Sequence, residues 1–430
     1  ANLEVVFVHH VEEEKREFTK QEIRDVVGTP SLEELKKMVF GKYKHPEWLT
    51  KLLLVDLFSG PIDGYPLHLC IAGPPKTGKT KSIIDPIWAV VPDVKHNGQS
   101  TFKGIVPSFG GSGIDGFNEG ALLKADRMCY LDEFLTPVVT GSKNNSEISN
   151  QFGKFNSILD WNMGEISSGK GGISAANPTM QLLACTNFQH GLSDIVQAAG
   201  KLNNATMSRI LWYVQNQENI DFIHRETKNI MGIPLDERLP EQTESIMNLY
   251  DFFKMKENFC KINMDWVFKK YSEYEEIVPD ALKDVYSRYD HHLACIVDGA
   301  SKLRWLIGEK EDFKIVDEKD YALAEELFSI IISSWATDDE AMKAMPKRAR
   351  VKHLGSNERN VYEHISEYGG SQLDELKAAF DEFIHVSLEK LQALELIYVY
   401  DGKYYAFWHT FVKEKQLEAG EIGQNNISQW

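Results

Sequence analysis

Leu67-His-Leu-Cys-Ile-Ala-Gly73-Pro-Pro-Lys-Thr-Gly78-Lys79-Thr80 is the stretch that decides the fold. The apolar run Leu67–Ala72 reads as a short buried parallel strand, because strands covered on both faces lose the usual polar alternation. It feeds directly into G-x-x-x-x-G-K-[ST], and a helical pattern over Lys81–Val90 follows. Glycines at the two fixed positions let backbone N–H groups curl around phosphate oxygens, and the helix N-terminus adds its dipole. The expected cradle is Gly73, Pro74, Pro75, Lys76, Thr77, Gly78, Lys79, Thr80 and Lys81. In it Lys79 reaches the outer phosphates and the Thr80 hydroxyl binds Mg²⁺, so ATP with Mg²⁺ is the expected ligand.

Such a loop needs a carboxylate on the metal side, at the end of a nearby strand. Met128-Cys-Tyr-Leu-Asp132-Glu133 supplies two, placed at the carboxyl end of an apolar run, where ligands of α/β sheets bind. Asp132 is expected to position Mg²⁺ through water, and Glu133 to polarise the attacking water. A third apolar run ends in an amide, Leu182-Leu-Ala-Cys-Thr-Asn187. In additional-strand P-loop ATPases, which this order resembles, such an asparagine bonds the attacking water or the terminal phosphate.

Strand candidates at Arg127–Leu131, Gln181–Cys185 and Ile210–Val214 alternate with helical or loop segments, which predicts a doubly wound parallel α/β sheet. Helical patterning precedes it over Thr19–Leu57, where Ser31 and Glu34 form a capping-box signature. It resumes over Gln242–Trp335 as a helical lid. A polar linker at 337–356 carries the basic run Lys347–His353, read as a solvated connection. Helical segments at Arg359–Tyr368, Leu373–Phe380 and Val386–Leu394 then lead to Ile397–Phe407, which alternates around Asp401-Gly402, a two-residue hairpin signal. Three helices and a hairpin over 357–413 predict a winged helix, followed by a tail at 414–430.

With 430 residues and 43% hydrophobic content, the chain has material for two or three domains. Forty-seven basic against 64 acidic residues give a net charge of -17, so any nucleic-acid contact must use local basic patches. None of the five cysteines forms a CxxC pair, and several sit in apolar runs, as expected of reduced thiols in an intracellular protein. No apolar run approaches the length of a membrane span, and no signal-peptide pattern is visible.

Between Glu133 and Asn187 lies NSILDWNMGEISSGKGGISAANPTMQLLACTNF, a helix, an alternating stretch, a glycine-rich tip with Lys170, and a return strand. This order resembles the pre-sensor hairpin of the minichromosome maintenance (MCM) branch of the AAA+ helicases. EGALLKADRMCYLDEF resembles the stretch that leads into that family's acidic strand, and PSFGGSGIDGFN a short helix-2 insertion. Ser208-Arg209 resembles the family's Ser-Arg-Phe-Asp motif, although Ile210-Leu211 stands where Phe-Asp is usual. The resemblance implies that Arg209 reaches a neighbouring subunit's nucleotide, and that Arg288, with Arg304 as competitor, is the sensor-2 arginine.

It covers about residues 20–412 and implies an AAA+ ATPase core over 19–336. It implies a hexameric ring helicase that translocates on single-stranded or forked DNA during replication, with Lys170 as a DNA contact in the central channel. The alternative is an initiator or loader that assembles on DNA without unwinding it. Residues 1–18 read as a linker or the remnant of an N-terminal domain, since the family's oligonucleotide-binding barrel and zinc site have no counterpart here. The implied setting is the cytoplasm or nucleoid, with a mobile element, virus or plasmid as a possible carrier.

Overall fold

Ser31 and Glu34 cap each other as their spacing predicts. The Ser31 hydroxyl accepts the Glu34 N–H at 3.2 Å, and the Glu34 carboxylate accepts the Ser31 N–H at 2.8 Å. Thr19 and Glu22 repeat the device one helix earlier. These boxes satisfy N–H groups that have no partner inside a helix, and so fix where Lys20–Val27 and Leu32–Phe40 begin. A third helix, Glu47–Phe58, is buried nearly throughout.

The computed structural model describes residues 5–8 and most of 18–412, leaving out 9–17, 110–116, 135–144, 188–203, 227–239, 336–346, 413–430 and shorter stretches that include Lys76 and 169–170. Two units divide it: residues 1–272 with 284–334, and residues 273–283 with 335–430.

In the first unit the strands run, in chain order, β1 Val5–Val8, β2 Leu69–Gly73, β3 Lys95–Asn97, β4 Ser108–Phe109, β5 Phe117–Asn118, β6 Met128–Asp132, β7 Glu165–Ser168, β8 Gly171–Ala175, β9 Gln181–Asn187 and β10 Leu211–Val214. Five of them form a parallel sheet in the order β10-β2-β9-β6-β3. This is a parallel α/β unit, as the apolar runs predict. Strands β2 and β10 are buried end to end, and β6 and β9 are buried up to their final residue. The edge strand β3 was not legible, because Lys-His-Asn has neither length nor apolar character.

Strand β9 separates the P-loop strand β2 from the acidic strand β6. Its register aligns Asn187 with Gly73 on one side and Cys185 with Asp132 on the other. The three predicted motifs therefore end on one edge of one sheet. The glycine-rich stretch after the helix Asn145–Leu159 forms the antiparallel pair β7–β8, and β1 adds to β8 in parallel. β4 and β5 pair antiparallel within the stretch read as an insertion.

The second unit holds the helices Ser356–Tyr368, Leu373–Ala379 and Ile384–Ala393 with a three-stranded antiparallel sheet: β11 Ser371–Gln372, β12 Ile397–Tyr400 and β13 Lys403–Ala406. Asp401 (φ 50°) and Gly402 (φ 72°) both turn left-handed, as a two-residue hairpin requires. The basic run corrects an expectation. It is not wholly a solvated linker, because Lys347–Lys352 is helical and Arg350 is buried, donating to the Leu394 carbonyl at 2.6 Å.

Candidate active site

The loop after β2 is shaped by close packing at its first glycine and by conformation at its second. A Cβ on Gly73 would lie 2.5 Å from Gln215 Oε1 and 3.0 Å from its Cβ, so any larger residue would have to displace the side chain that crosses the strand end. Gly78 adopts φ 79°, a left-handed conformation that favours glycine. Gln215 follows β10, accepts the Thr77 hydroxyl at 2.8 Å, and has its side-chain Nε2 buried with no hydrogen-bond partner among the described residues. It buttresses the loop from beneath, a role no motif announced.

Lys79 is buried at the centre of the loop. Its ammonium donates to the carbonyls of Gly73 (2.8 Å) and Pro74 (2.7 Å), to the Thr77 hydroxyl (3.2 Å) and to Asn187 Oδ1 (3.3 Å). Burial lowers its pKa from the ordinary lysine value. These neutral oxygens replace its water, and an anion bound at the loop would balance the charge itself. Lys81 is exposed one residue beyond Thr80. Lys76 lies outside the described residues.

On the metal side the Thr80 hydroxyl donates to Asp132 Oδ1 at 2.6 Å. The two are hard oxygen ligands, the donor type Mg²⁺ selects. Among the described residues no group of three or more His, Cys, Asp or Glu side chains gathers to hold a metal. Mg²⁺ bound here would complete its shell with phosphate oxygens and water, its usual arrangement with nucleotides. The residues present fit that ion.

Glu133 stands at φ 68°, in a region non-glycine residues rarely adopt. The Phe134 N–H donates to the Cys185 carbonyl at 2.8 Å and pins the backbone just beyond it. The Glu133 carboxylate accepts from the Thr186 hydroxyl (3.2 Å), the Asn187 N–H (3.4 Å) and the Asn187 side-chain amide. Asn187 thus joins the loop lysine to the acid, giving its oxygen to Lys79 and its N–H groups to Glu133. Backbone strain held by surrounding bonds is a feature of working sites. Here it aims the carboxylate across β9 toward the P-loop edge.

The arginines gather elsewhere. Arg209 precedes β10, whose first residue pairs with Leu69 at the start of β2. The strand from Leu69 to Gly73 separates that end of the sheet from the P-loop, about 13 Å at strand rise. Arg209 donates through Nε and Nη2 to the two oxygens of Asp160, at 2.8 and 2.6 Å. Arg288 donates to the same Asp160 Oδ1 at 2.9 Å and lies over the Tyr65 ring. Sequence reasoning missed Asp160, which carries no motif signal.

Arg304 is resolved by its surroundings: it is buried and commits its guanidinium to Glu309, Asp317 and Asp320 at 2.6–3.0 Å. That is a structural network of the helical region, so Arg288 is the arginine placed beside Arg209. Two buried histidines brace the arginine end of the sheet, and a third packs against the helix that follows the P-loop. His68 donates from Nε2 to the Leu159 carbonyl and accepts the Leu182 N–H on Nδ1, both at 2.9 Å. His292 bonds the Ser208 carbonyl at 2.9 Å, and His45 the Ser82 carbonyl at 2.8 Å. Desolvation holds their pKa values down, to about 4 for His45 and His68 and about 3 for His292.

No family model matches the chain, and no curated protein matches it. Two clusters therefore stand on geometry: Lys79, Thr80, Asp132, Glu133 and Asn187 at one edge of the sheet, and Asp160, Arg209 and Arg288 at the other. Lys170 lies outside the described residues, although the strands that flank it pair as a hairpin. No helix among the described residues is long and apolar enough to cross a membrane.

Proposed function

We propose that the chain is an MCM-like AAA+ ATPase that assembles into a ring, most simply a hexamer, and uses ATP hydrolysis to translocate on DNA and unwind it. One observation carries this reading. Lys79, Thr80, Asp132, Glu133 and Asn187 meet where strands β2, β6 and β9 end, while Arg209 and Arg288 gather on Asp160 at the opposite end of the sheet. Such a site is half complete in one chain and whole between two.

In the first half Lys79 and the loop N–H groups would hold the β- and γ-phosphates, and Thr80 and Asp132 would hold Mg²⁺, whose charge would offset that of the phosphates. Glu133 takes a proton from water as the water attacks the γ-phosphorus and the bond to ADP breaks. Asn187 orients that water or the terminal phosphate. Arg209 and Arg288 of an adjoining copy stabilise charge on the transferred group. On this reading the hairpin β7–β8, whose strands flank Lys170 in sequence, is directed at DNA in the channel, where an ammonium pairs with phosphates without reading bases. The second unit is read as the winged helix. Its acidic helices favour regulation or partner contact over DNA binding.

ATP hydrolysis measured with no DNA, single-stranded DNA and forked DNA, beside particle imaging, tests the proposal. A ring whose hydrolysis rises with DNA and which displaces a strand supports it. Stimulated hydrolysis without displacement moves the assignment to a loader, and no hydrolysis removes the enzyme reading.

A further inference from the structure

We propose that Gln215 is a positioning residue for the phosphate loop: its side-chain amide turns over when a phosphate engages Lys79, and so holds the loop in its loaded form. The inference rests on the nucleotide-binding reading of that loop. Gln215 stands one residue past β10, where its N–H donates to the Ala72 carbonyl at 2.8 Å and its side chain crosses Gly73. It is 4% exposed. Thr77 Oγ1 lies 2.8 Å from Gln215 Oε1 and 3.0 Å from the Pro74 carbonyl oxygen, with one hydrogen to share between them. Gln215 Nε2 is a donor, buried with no hydrogen-bond partner among the described residues. A buried donor left idle is costly, and a second arrangement of the same side chain would relieve it.

Lys79 sets which arrangement holds. Its ammonium has three hydrogens, yet four acceptors surround it among the described residues. The Gly73 and Pro74 carbonyls are close, at 2.8 and 2.7 Å, while Thr77 Oγ1 and Asn187 Oδ1 lie at 3.2 and 3.3 Å. Anionic phosphate oxygens accept more strongly than neutral ones, so a bound phosphate displaces the two longest contacts first. Thr77 Oγ1 then loses the donor that occupied it. A half-turn of the Gln215 amide about its Cγ–Cδ bond brings Nε2 to Thr77 Oγ1, in the place Oε1 held, and the Thr77 hydrogen goes wholly to Pro74. The turned amide leaves a carbonyl oxygen unpaired instead of an N–H, the lesser of the two deficits. Lysine, threonine and glutamine thus exchange partners together, and the loaded loop uses a donor that the empty loop leaves idle.

The test uses the full chain with isotope-labelled glutamine side chains and reads the Gln215 amide by NMR, its signal identified by loss in Gln215→Met. A non-hydrolysable ATP analogue with Mg²⁺, or ADP with Mg²⁺, is expected to shift that signal. AMP, which lacks the phosphates Lys79 reaches, is expected to leave it in place. A glutamine that merely buttressed the fold would not follow the number of phosphates. Gln215→Met removes both the idle donor and the bond it would make, so dissociation of a fluorescent ATP analogue is expected to speed about three- to tenfold. Association is expected to stay within about twofold, because the exchange follows phosphate contact. Should Gln215→Met not fold, Gln215→Glu, which keeps the acceptor and lacks the donor, gives the same comparison. A signal that the bound analogue does not move, one that AMP moves equally, or an unchanged dissociation rate overturns the exchange. Equilibrium binding of the same analogue to the unaltered chain separates the two claims. Binding with an unmoved Gln215 signal defeats the exchange and leaves the nucleotide reading, whereas no binding defeats both.

Discussion

Thr80 Oγ1 donates to Asp132 Oδ1 at 2.6 Å, although the strands leading to these residues are not neighbours in the sheet. The segment after β2 therefore spans the end of β9, which lies between β2 and β6, to bring the hydroxyl to the carboxylate. A cation placed between them would be held from two separate strands. That arrangement lets the proposed Mg²⁺ dependence be tested by mutation without disturbing the core.

Asp132→Asn can still accept the Thr80 hydroxyl, so the fold is expected to survive. The lost charge weakens Mg²⁺, and the Mg²⁺ concentration giving half-maximal hydrolysis is expected to rise about tenfold or more. A magnesium titration at saturating ATP checks this. An unchanged midpoint would take Asp132 out of the metal site.

Glu133→Gln keeps the size and the hydrogen bonds to Asn187 but removes the base. Nucleotide affinity is expected to stay within a few-fold, while kcat falls about 10²- to 10⁴-fold. Equilibrium binding of a fluorescent ATP analogue and phosphate release separate the two effects. A parallel loss of both would make Glu133 a structural residue only.

Mixing chains tests the shared site. Arg209→Ala lacks the arginine and Glu133→Gln the base, so each alone is expected to hydrolyse little ATP. Where a Glu133 site faces an Arg209 from the other variant, hydrolysis returns, and mixtures should recover about a quarter of the unaltered rate in a random assembly. No recovery, with mixed particles verified by mass, would contradict action across the interface.

Buried neutral histidines give the protein an acid sensitivity with a defined sign. His45 and His68 titrate near pH 4 and His292 near pH 3 when folded, against about 6.5 in an unfolded chain. Below about pH 6.5 the unfolded chain binds protons that the folded chain refuses, so stability is full above that pH and falls toward pH 4. Each histidine contributes a slope of up to about 1.4 kcal/mol per pH unit. His68 cannot take the extra proton without losing the Leu182 N–H bond. Urea unfolding should give a stability several kcal/mol lower at about pH 5 than at about pH 7, and His292→Asn should lose less. Equal stabilities at the two pH values would contradict it.

Much of the P-loop end of the sheet was legible because each part is an apolar strand followed at once by a glycine turn or a polar side chain. Gly73 after Ala72, Asp132 after Leu131 and Asn187 after Thr186 needed only hydrophobic patterning and local spacing to be found. The hairpin at Asp401-Gly402 was legible for the same local reason. Asp160 and Gln215 were not, because their roles depend on partners far along the chain and neither side chain has a distinctive neighbour in sequence. Arg288 could not be told from Arg304 by spacing. The acids around Arg304 and the single carboxylate shared with Arg209 separate them, and both are facts of packing.

Strand displacement on a forked DNA duplex, comparing the unaltered chain with Lys79→Ala, tests the central claim most directly. Lys79 is the charge at the heart of the loop, and its removal is expected to lower ATP turnover by at least about 10²-fold. The account predicts ATP-dependent displacement by the unaltered chain and none by Lys79→Ala, with both chains equally folded. Displacement that survives in Lys79→Ala would remove the P-loop from the mechanism, and hydrolysis without displacement in the unaltered chain would contradict the motor.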